Sequence, residues 1–393
     1  MIRIRRASVA TALVSMTCLT LLVPGTAGAS VVPAGHLAFV TASGALEVVA
    51  IMSNGTTTAP VKIAPVTKVS APKTVKVSGL VVSADKNWLA WSEEVFKPDK
   101  TYGQIETGAR LAVRNMHSGK TITLKSDEYP LGFSGSTLVC VGAYTKRLVM
   151  KPSPHLVRIP GNGSAVATYP DGIVDVVFVD ENPNSSVDHE RLRLTTFAGH
   201  HTVLQQYDIG KSYRNVTANT DAVSPDGEKL LVERGNHQDF DGLGPSSLFD
   251  TYSLGATHVR HQLGHYGSNA AQWRLVAATF VGPHDTPWLA LHGGYIKTSS
   301  GYVVHGIVVR YSGGKWHDQS NDAIAVAGNA AGYVVVQPGK WVAAKNSPAG
   351  EYDPTPTGPA GLEGPGGSHV LPKVEGSEMV WVVKTYKNAP EGT

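Results

Sequence analysis

Charge, aromatic side chains and cysteine are all scarce in this chain. Of its 393 residues only 17 % are charged and 7 % aromatic, which excludes the Ala-, Glu-, Lys-, Leu- and Arg-rich make-up of long helices and coiled coils. A hydrophobic share of 42 % also excludes a disordered chain, because that much apolar material can build a core. The 2 cysteines cannot make a disulfide framework: Cys18 lies in the N-terminal apolar run, which leaves Cys140 alone in the rest of the chain. Cys140 sits in the apolar run Ser136–Val141 with no positive charge adjacent, so a buried, inert thiol is expected. What is abundant is glycine, 42 residues, with 24 prolines, punctuating short apolar segments. Many short strands joined by turns fit that pattern.

The first residues read as an export signal. Arg3, Arg5 and Arg6 precede an apolar run from Ala7 to Val23, then Pro24-Gly25 and the small-residue site Ala27-Gly28-Ala29. The run is short of the ~20 residues a spanning helix needs. Ser15-Met16-Thr17 before Cys18 is a poor lipid-attachment site. A secretory signal over 1–29 and a secreted or periplasmic protein without stable membrane insertion are therefore expected. Removing three arginines from 34 basic residues leaves 31, against 31 acidic ones. A neutral chain has no surplus to neutralise phosphates, which argues against nucleic acid as a partner.

The remainder repeats itself. Val82-Ser83-Ala84-Asp85-Lys86 aligns without gaps on Val223-Ser224-Pro225-Asp226-Gly227, and Leu89 on Leu230, 141 residues apart. Each reads as strand, tight turn, strand, with the aspartate bonding its own turn. Looser copies begin near 32, 133, 179, 281 and 326. Third and fourth strands follow most clearly in Leu111–Leu124, around Ser118-Gly119. Four short strands per unit, repeated radially, predict an all-β fold, a seven-bladed β-propeller over 30–393, with six or eight blades also compatible. Met379–Val383 is expected to pair with the N-terminal strand and close the ring. The Gly/Pro-rich stretch 346–367 is expected to be an insertion in the last blade, too loose for a blade strand.

Ser224-Pro225-Asp226-Gly227 followed by Leu230-Leu231-Val232 resembles the Ser-Pro-Asp-Gly turn of the WD40-like repeats in TolB-type bacterial propellers. Ser83-Ala84-Asp85-Lys86 is a degenerate copy. The resemblance implies a propeller and an exported protein. It does not imply the Tol partners, because strand pattern starts by Leu37 and leaves no room for that family's N-terminal α/β domain.

Motifs with chemical potential mostly fail on inspection. Gly119-Lys120-Thr121 lacks the earlier glycine of a phosphate loop, where Arg114 stands, and Gly161-Asn162-Gly163 has Val166 in place of a third glycine. Gly132–Ser136 ends in serine and so is no nucleophile elbow. His258, His261 and His265 follow a turn on a strand, where 258 and 261 point to opposite faces and 261 and 265 lie about 13 Å apart. His237-Gln238-Asp239-Phe240-Asp241-Gly242 resembles half a calcium loop, but the twelfth position is Leu248. Asp180, Glu181, Asp188 and Glu190 read as a solvated acidic loop. No metal or cofactor is expected, and no catalytic residue is assigned.

The longest connections occupy one slot of the repeat. Residues 92–109, 234–247 and 292–301 each join a second to a third strand and so emerge on one face, around the channel mouth. They carry Phe96, Tyr102, His237, Asp239, Phe240, Asp241, Tyr295 and Lys297, aromatic rings among charges, which is the make-up of a recognition surface. The expected function is that of a monomeric binding or scaffold protein recognising another protein or a cell-envelope component. The alternative is a propeller enzyme acting on a carbohydrate or small molecule at the channel mouth. Cleavage after Ala29 predicts that the exported protein begins at Ser30; N-terminal sequencing that still finds Leu19 to Leu22 overturns it.

Overall fold

A computed structural model describes residues 31–382 apart from 102, 162, 180–187, 210–213, 218–222, 225–226, 237–247, 255–257, 268–272, 299–300 and 344–351. The leader expected over 1–29 lies outside the described residues. Among the described residues the regular structure is all β, without a helix. It follows that none of them belongs to a helix long and apolar enough to cross a membrane.

The first strands are β1 (Pro33–Val40), β2 (Leu46–Met52) and β3 (Val61–Ala64). The next sheet holds β4 (Thr74–Val82), β5 (Trp88–Asp99), β6 (Gly103–Asn115) and β7 (Thr121–Lys125). Then come β8 (Tyr129–Ser134), β9 (Thr137–Val141), β10 (Lys146–Val149) and β11 (His155–Arg158). The fourth group is β12 (Ser164–Tyr169), β13 (Gly172–Val179), β14 (Asp188–Thr196) and β15 (His201–Ile209). The fifth is β16 (Arg214–Thr217), β17 (Lys229–Asn236), β18 (Leu248–Ser253) and β19 (Arg260–His265). There follow β20 (Arg274–Val281), β21 (Thr286–Thr298), β22 (Gly301–Ser312) and β23 (Lys315–Asn321). Last are β24 (Ala323–Gly328), β25 (Val334–Ala343), β26 (Tyr352–Pro356), β27 (Ala360–Gly364), β28 (Gly367–Leu371) and β29 (Glu378–Val382).

These strands form antiparallel sheets in a β-propeller arrangement: five separate four-stranded sheets and one of nine strands. The count differs from seven separate, like units. The reason is local: β22 runs past its own sheet and pairs with β25 through Val304 and Trp341, and β26 extends that junction. The stretch expected to be an insertion also differs, because β26 and β27 lie in it and pair with β25. Its prolines do not forbid this, since Pro354 and Pro356 lie on β26, which pairs on one side only, where a missing N–H is tolerated. The last strand, β29, pairs with β1 from His36↔Val382 to Val40↔Glu378.

Packing explains why the strands are apolar on both parities. Leu37 and Phe39 of β1 join Met379 and Trp381 of β29 against Val335 and Leu362 of the nine-stranded sheet. Ala38 and Val40, one step along, join Val380 and Val382 against Val77, Leu80, Leu89 and Trp91 of the second sheet. Successive side chains of a strand face opposite ways, so a sheet sandwiched between two others must be apolar at every position. Cys140 belongs to such a layer, and burial pushes its thiol up to about 12, as expected of an inert cysteine.

The two aligned turns are built alike. Ser83 N donates to Trp88 O at 2.9 Å and Ser224 N to Lys229 O at 2.8 Å. Lys86 N and Gly227 N return to the serine carbonyls at 2.8 Å in each turn. Each serine Oγ accepts the far strand's first N–H, from Trp88 and from Lys229, at 2.9 Å. Asp85 takes the Ser83 hydroxyl at 2.5 Å and Asn87 N at 3.0 Å, the role expected of Asp226, which lies outside the described residues. Burial pushes the Asp85 carboxyl upward, but these bonds outweigh it and hold it below its ordinary value. Ser83→Ala and Asp226→Ala are each expected to cost about 1–2 kcal/mol, read as lowered denaturation midpoints. Unchanged midpoints in both variants contradict this account of the turns.

Candidate functional site

The two faces of the propeller are unequal. On one, neighbouring strands are joined tightly: Ser134↔Thr137 and Tyr169↔Gly172 bracket two-residue turns, and the Ser83 and Ser224 turns lie on the same side. On the other, hairpins project. The β5–β6 ladder continues to Asp99↔Gly103, β21–β22 to Thr298↔Gly301, and β25–β26 to Ala343↔Tyr352. On that face Thr41–Ala45 and Val141–Lys146 are short connections as well.

Two of the three connections expected to be loops are therefore strand for most of their length. Phe96 lies on β5 opposite Thr74 and Glu106, half-buried, with the Lys76 ammonium 5.2 Å from its ring centre. Tyr295 and Lys297 lie on β21, Tyr295 within the irregular register between Gly293 and Ile296. The physical reason is that a ladder started inside the sheet keeps adding cross-strand pairs until a turn residue stops it. The third connection differs less: Arg234 to Asn236 belong to β17, and His237, Asp239, Phe240 and Asp241 lie outside the described residues, as does Tyr102. The structure thus places Phe96, Tyr295 and Lys297 on strands of hairpins, β5–β6 for the first and β21–β22 for the other two. His261 and His265 lie on β19, a strand as expected.

Carboxylates collect at the base of the β5–β6 hairpin. Glu94 accepts the Ser78 hydroxyl at 2.6 Å. Glu106 and the Tyr129 phenol are both raised, first by burial and then by the charges of Glu94 and Asp127. Glu378 of β29 spans two sheets, accepting Gly79 N at 3.2 Å and Leu80 N at 2.7 Å where β4 bulges between Ser78 and Val81. Gly79 has φ +64°, which a side chain would resist. Burial raises the Glu378 carboxyl, the two N–H groups oppose that, and Glu94 adds to it. Across the ring, burial and then Arg274 lower His292 to about 4, and its ring lies 5.0 Å from that of Trp341. Sequence reasoning missed Glu378 and His292, because a lone polar residue in an apolar strand shows no pattern.

A central cavity of about 170 Å³ lies at the tight-turn end of the axis. Residues of seven chain segments line it, among them Val81, Lys86, Phe133, Tyr169, Ser224, Phe280, Val326 and Trp381. Their polar groups stitch neighbours together. Thr168 Oγ1 donates to Phe133 O at 3.1 Å, Gly328 N to Thr279 Oγ1 at 3.1 Å, and Trp381 Nε1 to Ala327 O at 3.1 Å. Among the described residues that line the cavity, Lys86 alone is charged.

No family model matches the chain, and no curated protein does. Solved structures do. A Lactobacillus plantarum protein is 11 % identical with TM-score 0.43, over 88 % of this chain and 98 % of that one. The β-propeller domain of the Trilobed protease from Pyrococcus furiosus is 9 % identical with TM-score 0.39, over 76 % of this chain and 95 % of that one. Pyrococcus horikoshii acylaminoacyl peptidase is 11 % identical with TM-score 0.39, over 76 % of this chain but 52 % of its own.

The raised Glu378 has a consequence for pH. Between its ordinary value of 4.5 and its raised one, the folded state holds a proton that the unfolded state has released, so stability falls as pH rises through that window. Glu128 acts oppositely, since bonds from Lys146 and Ser126 outweigh its burial and hold it below 4.5, and its contribution is lost at lower pH. In Glu378→Gln the fall in melting temperature from about pH 4.5 towards neutrality should flatten. A slope identical to wild type removes Glu378 as its source.

Proposed function

We propose that the chain is an exported seven-bladed propeller that binds a protein or cell-envelope component through its hairpin-bearing face. Several features support the blade count. Within the nine-stranded sheet β20–β23 form one run of four strands and β24, β25, β27 and β28 another, and the described strand pairing between the two runs is confined to Val304↔Trp341 on their projecting arms. Seven segments meet at the axis, and β1 with β29 joins the two ends of the described chain. The shared Ser83 and Ser224 turns support kinship with TolB-type repeats, and the basic, apolar and small-residue pattern over 1–29 supports export.

The single observation that carries the binding reading is the asymmetry of the faces. At one end of the propeller the described turns between the inner two strands of a sheet are short, as at Ser134–Thr137 and Tyr169–Gly172, while the β5–β6, β21–β22 and β25–β26 hairpins project from the other. A projecting hairpin exposes side chains on both of its sides at little cost to the core, and binding residues gather on such segments when a rigid scaffold holds them. Phe96, Tyr102, Phe240 and Tyr295 supply the aromatic anchors in this reading, with His237, Asp239, Asp241 and Lys297 as polar contacts around them. Such anchors contribute about 2 kcal/mol or more each where they dominate an interface.

Tyr102→Ala, Phe240→Ala and Tyr295→Ala combined should therefore abolish capture of a specific partner from envelope extract or culture supernatant, with the melting temperature kept. Equal recovery of every partner by wild type and the triple variant refutes the assignment. The enzyme alternative gains if the variant loses an activity on a glycoside or ester substrate instead of a partner.

A further inference from the structure

We infer that the outer edge of the third sheet is a docking surface for an anionic phospholipid bilayer, which the protein touches without inserting. The argument starts from charge. The chain after residue 29 is balanced, with 31 basic residues against 31 acidic ones. Yet the stretch 129–170, which contains the whole third sheet, carries Lys146, Arg147, Lys151 and Arg158 and no aspartate or glutamate. Among the described strands every other sheet includes an acidic residue, such as Glu47, Glu93, Asp175, Glu233 and Glu363. A lysine on an exposed edge deters unwanted strand pairing, but one charge serves that purpose and a sheet without acids is not required for it.

The fold puts these charges on the outside. β8 contributes Gly132 and Phe133 to the axial cavity, and β11, at the other end of the sheet, pairs on one side only. Lys146 lies opposite Arg158 and Arg147 opposite Val157, so Lys146 and Arg158 flank the edge on one side and Arg147 on the other. Lys151 sits in the turn between β10 and β11. Glu128 neutralises Lys146. Arg147, Lys151 and Arg158 have no acidic partner among the described residues, and two of them rest on rings instead. The Arg158 guanidinium lies 4.0 Å from the centre of the Tyr144 ring, and that of Arg147 lies 5.1 Å from the centre of the Phe197 ring. A guanidinium held flat on a ring keeps its N–H edge for an anion such as a phosphate. Apolar exposure on the same edge selects a bilayer among anionic partners. Tyr144 is 51 % exposed and Met150 38 %, one at each end of β10. A tyrosine ring settles at headgroup level and a methionine at the acyl boundary, whereas a soluble polyanion offers neither an apolar contact. Each basic residue beside an anionic leaflet is worth about a fivefold gain in binding, so the three unpaired ones give about a hundredfold. No hairpin residue proposed as a partner contact belongs to this sheet, so the inference does not rest on that reading.

The test is co-sedimentation of the protein beginning at Ser30 with vesicles of phosphatidylcholine, alone or mixed with an equal part of phosphatidylglycerol. Salt is held at about 0.1 M, where exposed charges still act over about 10 Å. Wild type is expected to pellet with the mixed vesicles, to ignore the neutral ones, and to be released as salt rises. Arg147→Gln, Lys151→Gln and Arg158→Gln combined should weaken binding about a hundredfold. Arg147 is half-buried against Phe197, so Lys151→Gln with Arg158→Gln, both at exposed positions, is the variant that keeps the melting temperature, and its loss should be about thirtyfold. Tyr144→Ser with Met150→Ser leaves every charge in place and should still weaken binding severalfold. The inference is overturned if wild type binds neither vesicle or both alike, or if the Lys151 and Arg158 double variant binds as wild type does. It is overturned if the serine variant keeps full vesicle binding, because a soluble polyanion is then the fitting partner. Release by millimolar glycerol phosphate overturns it too, because a free phosphate is then the ligand. Loss of vesicle binding in the hairpin triple variant does the same, since the contact then lies on other sheets.

Discussion

Each small sheet of this protein buries neither of its faces alone. Leu37 and Phe39 need the sheet on one side of β1, while Ala38 and Val40 need the sheet on the other. The constraint passes from sheet to sheet, as in the layer that joins Val174, Leu230, Phe249, Leu289 and Val309 across three of them. Fully burying one such side chain contributes about 1.5–3 kcal/mol, so stacking supplies most of the driving force and strand pairing mainly fixes register. Pairing of β29 with β1 belongs to the same constraint, because it places Trp381 and Val380 in the two layers that flank the first sheet.

Where stacking leaves backbone groups unpaired, buried carboxylates take them. Glu378 holds the bulge of β4, Glu93 receives Val66 N and Thr67 N at 2.7 and 2.8 Å, and Glu233 receives Leu275 N at 3.1 Å. The first and last of these cross from one sheet to the next, so they set sheets against each other at points where apolar contact has no direction. Leaving a buried carboxyl or a buried N–H without its partner inside the fold is costly. These glutamates are accordingly structural, although a reader of the sequence looking for acid–base chemistry would choose the same residue type.

The inequality of the two faces follows from the same economy. A turn between the first two strands of a sheet lies close to the crowded axis, where there is room for only a few residues, and the Ser83 and Ser224 turns meet that limit with a buried serine and a left-handed residue. Connections on the opposite face can lengthen into solvent without disturbing any layer, and two of them meet as Val304 and Trp341. The rim can therefore vary in length, while the shape of the axial cavity is set by the sheets that converge on it.

The sequence by itself determined the β class, the repeat, the paired turns and the inert Cys140. These depend on local chemistry: apolar runs of strand length, turn residues between them, and one thiol with no charge beside it. Hairpins in place of loops at 92–109 and 292–301, strands β26 and β27 within 346–367, and a nine-stranded sheet beside the four-stranded ones were decided only by tertiary structure. A ladder's length depends on what the neighbouring strand offers, which no single segment records. The axial cavity belongs to the same class. Lys86 was visible as a mismatch to Gly227 in the repeat, but only the convergence of seven distant segments gave that mismatch an environment.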